Sequence, residues 1–188
     1  MNLSRPLILA SSSPRRQYLM KEAGFTFVAH SPDIDESFPS DLDITAVPKY
    51  LAKKKAEVFE KQITNEIVIS SDTVVILKDE ILNKPLNRKE AIEMLSKLSG
   101  QTHTVITAVC LFGKEKMHCF DDHTEVTFKT LTQDEIEFYV DNYKPYDKAG
   151  AYGAQDWIGL VAIEKINGSY FTVMGMPMHL VYKHLKNF

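Results

Sequence analysis

Leu7-Ile8-Leu9-Ala10-Ser11-Ser12-Ser13-Pro14-Arg15-Arg16 is an apolar run that breaks into hydroxyls, a proline and two arginines. The apolar run predicts a short buried strand. Ser13 followed by Pro14 predicts a helix start, because Ser caps and Pro takes the first helical position without losing a needed donor. Leu19 and Ala23 then share a face, and Gly24 suits the position just past the helix end. Strand, polar turn and helix therefore fill Leu7 to Gly24.

The same alternation continues outward. A loop with Pro32, Asp33, Asp35 and Glu36 leads to a second predicted helix near Val47 to Lys61, with Pro48 in its first turn. Ile67 to Leu77 is rich in β-branched residues and predicts a buried strand or strand pair, interrupted by Ser70-Ser71-Asp72-Thr73. Asn87 with Glu90 opens a helix to Leu98, and Gly100 lies just beyond it. Thr104 to Phe112 and Glu125 to Lys129 are predicted strands, and Thr132 with Glu135 is a second capping box, opening a helix to about Asn142. Two apolar runs flank Asn167-Gly168, which predicts a hairpin. Pro177 to Leu185 is a closing helix. Strands and helices interspersed in this way point to an α/β class.

The 188 residues are 44% hydrophobic and 25% charged, with only 8 Gly and 8 Pro, which fits one ordinary globular domain over 1–188 and excludes a disordered chain. A net charge of −3 gives no global pull toward nucleic acid or an anionic membrane, so a small anionic substrate would need a local cluster of cations. The uncharged run from Gly100 to Gly113 falls short of a membrane span. Pro6 to Ala10 is too short for the core of a targeting segment, so a cytoplasmic location is expected. Cys110 and Cys119 are too few and wrongly spaced for zinc, and are expected to be buried free thiols in a reducing compartment.

Three groups of residues could carry chemistry. The first is Ser11, Ser13, Arg15 and Arg16. A strand ending in a hydroxyl-rich turn and a helix N-terminus offers free backbone N–H groups and a positive dipole end, which suit phosphate. Two guanidiniums there match phosphate oxygens bidentately and oppose the helix dipole, so helix stability alone would not select them. From the motif alone, a capped surface helix with solvated arginines stands level with this reading.

The second is Lys55. At 100° per residue it falls inside the apolar stripe of Pro48, Leu51, Ala52, Val58 and Phe59, while Lys53 and Lys54 fall outside it. Such a lysine either snorkels or faces a wet cleft with phosphates or carboxylates, and the second reading is preferred. The third is Asp72, flanked by Ile67-Val68-Ile69 and Val74-Val75-Ile76. A carboxylate so placed belongs at a strand end or on a metal. Mg²⁺ takes one or two carboxylates beside substrate phosphates, and Asp33, Asp35 or Glu36 could supply the second. For that acidic trio a solvated turn is the commoner fate. No Walker A loop, GxGxxG, HExxH or GxSxG is present. His179 and His184, at i and i+5, share no helical face.

Together these motifs resemble the Maf family. Ser11-x-Ser13-Pro14-Arg15-Arg16, Asp35-Glu36, Leu51-Ala52-x-x-Lys55-Ala56 and Ser71-Asp72-Thr73-Val74-Val75 occur in that family's order. Lys84-Pro85, Leu98-Ser99-Gly100-x-Thr102-His103 and Asp147-Lys148-Ala149-Gly150-Ala151-Tyr152-Gly153 continue it. Each motif alone is weak; in this order they are specific.

The resemblance implies an α/β fold similar to inosine triphosphate pyrophosphatases, with a long twisted mixed sheet and two lobes flanking a cleft. It implies hydrolysis of nucleoside triphosphates to the monophosphate and pyrophosphate with Mg²⁺ or Mn²⁺, and a homodimer. A role in cleaning the nucleotide pool or in division follows from the same likeness. Arg15, Thr73 and Gln155 match the branch acting on dTTP and UTP. The branch acting on 7-methyl-GTP has an aromatic residue after the Ser-Pro and a Gln after the Asp. On this resemblance Ser11, Ser13, Arg15 and Arg16 hold the triphosphate and Glu36 and Asp72 hold the metal. Lys55 and Lys84 neutralise transition-state charge, and Thr73 and Gln155 read the base. The alternatives are the same reaction on 7-methyl-GTP or ITP-like purines, or a non-catalytic nucleotide-binding regulator. Asp156-Trp157-Ile158-Gly159 and Thr172 depart from the family pattern.

Overall fold

The computed structural model describes residues 5–188. Its element order is β1 (Leu7–Ala10), α1 (Pro14–Glu22), β2 (Val28–Ala29), α2 (Val47–Glu57), β3 (Ile67–Leu77), β4 (Glu80–Leu82) and α3 (Arg88–Leu98). There follow β5 (Thr102–Phe112), β6 (Met117–Phe128), α4 (Gln133–Tyr143), a single 3₁₀ turn at Ala149–Ala151, α5 (Trp157–Ala162), β7 (Ile163–Asn167), α6 (Tyr170–Val173) and α7 (Met178–Leu185). The strands form a mixed seven-stranded sheet in the order β2-β1-β3-β5-β6-β7, with β4 paired to β3. Its class is the α/β class expected. Among the described residues no helix is long and apolar enough to cross a membrane.

The chain divides into two compact units, one of Met1–Asp72, Thr107–Asp122 and Gly175–Phe188, the other of Thr73–Ile106 and His123–Met174. In the first, β1 runs parallel to both β2 and β3, with Leu7 opposite Ile67 and Ala10 opposite Ser70. Parallel strands buried on both faces favour continuous β-branched runs, which is what Ile67-Val68-Ile69 supplies. Small side chains let α2 approach its neighbours closely: Ala52 and Ala56 pack with Ala108 and Cys110. The Ser70 hydroxyl donates to the Ala52 carbonyl at 2.6 Å and sets where α2 sits along β3.

In the second unit α3, α4 and the 3₁₀ turn enclose a core around Leu95, Leu98, Val126, Phe128, Tyr139 and Ile158. Both helix starts hold, the second as a full capping box. The Asn87 side chain accepts from Glu90 N–H at 3.0 Å, and Thr132 with Glu135 closes the reciprocal pair. Gly150 has φ +67°, and a side chain there would press on Val75 at 3.1 Å, so this turn needs glycine for conformation and for room.

Two expectations are corrected. The hairpin at Asn167-Gly168 does not form: β7 pairs antiparallel with β6, and the chain beyond Gly168 becomes helix α6. Gly168, with φ +132°, crosses so close to β6 that a Cβ would lie 2.5 Å from the Thr124 hydroxyl, which in turn accepts from Ser169 N–H at 3.0 Å. The hydrogen bonds to Thr124 hold Ser169 in place of a returning strand. The cysteines are not free thiols. The Gly113–Lys116 turn, closed by Gly113 N–H to Lys116 carbonyl at 2.9 Å, folds β6 back along β5. Cys110 and Cys119, each three positions from that turn, then face one another with Cα atoms 4.1 Å apart, joined as a disulfide.

His103 supplies a test of the second core. It is 2% exposed, shares a 2.7 Å hydrogen bond with the Tyr152 hydroxyl, and leaves Nδ1 without a partner. Burial lowers its pKa from the ordinary 6.5 to about 4. The native state therefore binds fewer protons than the unfolded chain between these values. The contribution is complete above about pH 6.5 and is lost as pH falls toward 4, amounting to about 3 kcal/mol. Urea unfolding from pH 7 to 4 is expected to show this slope, and His103→Gln to flatten it.

Candidate active site

The register of β1 on β3 brings Ser11 beside Ser71, one step past the Ala10–Ser70 pair. Ligands commonly sit beyond the carboxyl ends of parallel strands, and this turn lies at the end of β1. Ser11 is buried, and its hydroxyl accepts from Ser13 N–H at 3.2 Å and from Arg16 Nη1 at 3.4 Å. Arg16 Nη1 also donates to the Ser71 carbonyl at 2.8 Å, and Nε to the Gly175 carbonyl at 2.9 Å. The Ser71 hydroxyl donates to the same Gly175 carbonyl at 3.1 Å. Arg16 is thus locked to three separate segments. Burial pulls its pKa down, while the charge of Asp72 opposes that and favours the cation.

Ser13 occupies the N-cap of α1 in extended conformation, with Pro14 next, but its hydroxyl makes no cap bond to the first turn. The N-terminal amides of α1 therefore keep their donor capacity toward a ligand. Arg15, half-buried, stands in the same turn.

A buried ion-pair cluster lies in the same unit. Ser70 and Asp72 point to one face of β3 because strand side chains alternate, and Ala52 and Lys55 share one face of α2 at i, i+3. Once Ser70 is bonded to the Ala52 carbonyl, Lys55 falls over Asp72. Its ammonium donates to Asp72 Oδ1 at 2.6 Å and lies 2.7 Å from Glu36 Oε1. The side chains of Lys55 and Asp72 are 10% and 11% exposed, against 46% for Glu36. Burial raises the Asp72 carboxyl above the usual carboxylate range, and Lys55 and Arg16 pull the other way.

The acidic trio now separates. The Asp35 carboxylate is engaged by the Ser37 amide at 3.0 Å and by the Ser37 hydroxyl, which lowers its pKa. Of the three, Glu36 is the one that reaches Lys55. Lys54, outside the apolar stripe, reaches the Ser37 carbonyl at 3.2 Å, and Lys53 pairs on the surface with Glu57 at 3.6 Å.

Two carboxylates converging on one ammonium suit a hard divalent cation in donor type, since Mg²⁺ is held by one or two carboxylates with phosphate oxygens completing its shell. Among the described residues no cluster of three or more His, Cys, Asp or Glu could hold a metal unaided.

The remaining residues belong to the second unit. Thr73 follows Asp72 in β3, half-buried, and Lys84 is exposed in the segment between β4 and α3. Lys84 helps to line a depression of about 410 Å³ with Glu80, Asn83 and Glu90. Gln155 is exposed, and its Nε2 donates to Asp156 Oδ1 at 3.0 Å. Trp157, where the sequence departs from the family pattern, opens α5 and packs edge-on against Phe138 at 4.8 Å. Thr172, the other departure, is fully buried in α6.

Sequence reasoning missed Ser71 and Gly175 as the parts that hold Arg16, and Tyr139 and Asp156 around Gln155. Ser71 stood in a family motif and Asp156 in a departure from one; neither signal gave the contact it makes.

The chain matches the model of the family described as Maf-like protein over residues 6–188. It is 47% identical over 188 residues to a Bacteroides fragilis protein named dTTP/UTP pyrophosphatase, covering 98% of this chain and 97% of that one. A Flavobacterium psychrophilum protein of the same name is 47% identical over 182 residues, covering 96% and 93%. Among solved structures, the Staphylococcus aureus Ham1 protein matches with a TM-score of 0.56 at 15% identity, covering 97% of this chain and 99% of that one. That likeness concerns the fold alone. With a family match over nearly its whole length and near relatives of one name, the chain belongs to the Maf-like protein family.

Proposed function

We propose that this protein is a nucleoside triphosphate pyrophosphatase that hydrolyses dTTP and UTP to the monophosphate and pyrophosphate. The observation that carries the reading is the buried Lys55 ammonium held between Asp72 and Glu36, beside an arginine-lined helix N-terminus. A buried carboxylate with raised proton affinity is suited to accept a proton. The names of the near relatives support the substrate.

In this account Ser11, Ser13, Arg15, Arg16 and the first amides of α1 bind the phosphate chain. Arg16 is held by backbone carbonyls, so its geometry is set before substrate arrives, which is what electrostatic stabilisation requires. Asp72 orients a water for attack on the α-phosphorus and takes its proton. Lys55 holds Asp72 and Glu36 in place and offsets negative charge, and Lys84 neutralises charge on the leaving pyrophosphate. Glu36 and Asp72 would also hold Mg²⁺ or Mn²⁺. When bound, such a cation supplies Lewis acidity and charge neutralisation at the phosphates. Arg15, Thr73 and Gln155 support a pyrimidine preference. A nucleoside triphosphate substrate supports a cytoplasmic setting, and the family resemblance a homodimer.

Asp72→Asn keeps the shape and removes the base, so turnover is expected to fall by about 10²–10⁴-fold with the circular dichroism unchanged. A variant turning over at near-normal rate would refute the role of Asp72. Across dTTP, UTP, CTP, ITP and 7-methyl-GTP, pyrophosphate release is expected to be fastest with dTTP and UTP; a purine preference would refute the base assignment. Lys55→Met leaves two carboxylates facing each other, one of them buried, and is expected to lower stability by about 3–5 kcal/mol at neutral pH. Denaturant titration measures this, and an unchanged midpoint would contradict it.

A further inference from the structure

Asp156 occupies the N-cap position of α5, where an aspartate ordinarily accepts from the first-turn amides, yet its side chain makes no cap bond. Both oxygens are used elsewhere. Oδ1 accepts from Gln155 Nε2 at 3.0 Å. Oδ2 accepts from the Tyr139 hydroxyl at 2.8 Å and lies 3.8 Å from the Lys148 ammonium. The Tyr139 oxygen in turn accepts from Gly153 N–H at 3.1 Å. Tyr139 is fully buried, and burial holds its phenol far above the ordinary range, so it remains a donor.

Gly153 leaves the space for this arrangement. A Cβ there would come within 2.6 Å of Asp156 Oδ2 and 2.7 Å of Gln155 Nε2. The carboxylate is therefore anchored from behind by a buried phenol and a lysine, and it presents one oxygen to a neighbouring amide at the surface.

We propose that Asp156 is a positioning residue that locks the orientation of the Gln155 amide and so makes that amide discriminate uracil and thymine from cytosine. The inference rests on the proposed dTTP and UTP activity and on Gln155 meeting the base. An ionised carboxylate can only accept hydrogen bonds, so the amide NH₂ faces Asp156 and Oε1 is turned away. The second N–H and Oε1 then offer a donor and an acceptor in fixed order. Uracil and thymine present the O4 acceptor beside the N3–H donor, which matches that order. Cytosine in the same pose presents an amino donor and a bare N3, opposing donor to donor and acceptor to acceptor. An amide free to turn over would accommodate both.

The test compares kcat/KM for dTTP and dCTP in the full-length enzyme and in Asp156→Ala. The dTTP to dCTP ratio is expected to fall about tenfold or more, mainly through a lower KM for dCTP, with kcat for dTTP little changed. In a Gln155→Ala background the same Asp156 substitution is expected to change the ratio by less than about twofold, because the effect passes through the amide. Tyr139→Phe, which keeps Asp156 and removes one anchor, is expected to shift the ratio in the same direction by less, and it stands in if Asp156→Ala does not fold. A folded Asp156→Ala enzyme with an unchanged ratio, or with a uniform loss on both nucleotides, would overturn the proposal and leave Asp156 as a helix anchor. A wild-type enzyme that does not prefer dTTP to dCTP would overturn the substrate reading itself, a result distinguishable because it needs no variant.

Discussion

The contact between the Lys55 ammonium and Asp72 constrains the first unit more than any other. Two charged groups at roughly one-tenth exposure each carry a desolvation penalty of several kcal/mol, and their attraction offsets it only when geometry is good. Stability alone does not favour such a pair over apolar residues of similar size. Its retention makes sense if the site needs an anion and a cation held in a dry environment. The rest of the unit meets the geometric demand. Ser70 fixes α2 against β3, the alanines let α2 come close, and Glu36 supplies a second carboxylate from a surface segment.

Arg16 is held by a parallel logic. Its guanidinium is fastened by the carbonyls of Ser71 and Gly175, and Ser71 is next to Asp72 in β3. Strand β3 thus supplies Ser70 to place α2, Ser71 to place Arg16 and Asp72 for the proposed chemistry, in three consecutive residues. A slip of one residue in the β1–β3 register would reverse the faces of all three. The apolar β-branched residues on both sides of the triplet resist that slip.

Much of this was legible in the sequence because the signals were local. Ser-Pro after an apolar run marked the β1–α1 turn, capping boxes marked α3 and α4, and the 100° rule put Lys55 on the buried face of α2. Asp72 was conspicuous because its flanks were so apolar. What was not legible depends on pairing between distant segments. Asn167-Gly168 carries every local mark of a hairpin, yet the chain continues as helix because Ser169 is bound to Thr124 across 45 positions. The cysteines looked too few and wrongly spaced for a metal, and their pairing follows from the symmetry of both about one turn. The hold of Gly175 on Arg16 spans 159 positions, which no local pattern can signal. The choice of Glu36 over Asp35 turned on Ser37, a neighbour whose amide and hydroxyl engage one carboxylate and leave the other to Lys55.

The account stands on hydrolysis at the α-phosphorus by a water that Asp72 prepares. Product analysis after dTTP turnover tests that most directly, by following dTMP, dTDP, pyrophosphate and orthophosphate together. The account predicts dTMP and pyrophosphate in equal amounts, with neither dTDP nor orthophosphate formed by the enzyme. Formation of dTDP with orthophosphate, or binding of dTTP with no products at all, would contradict it.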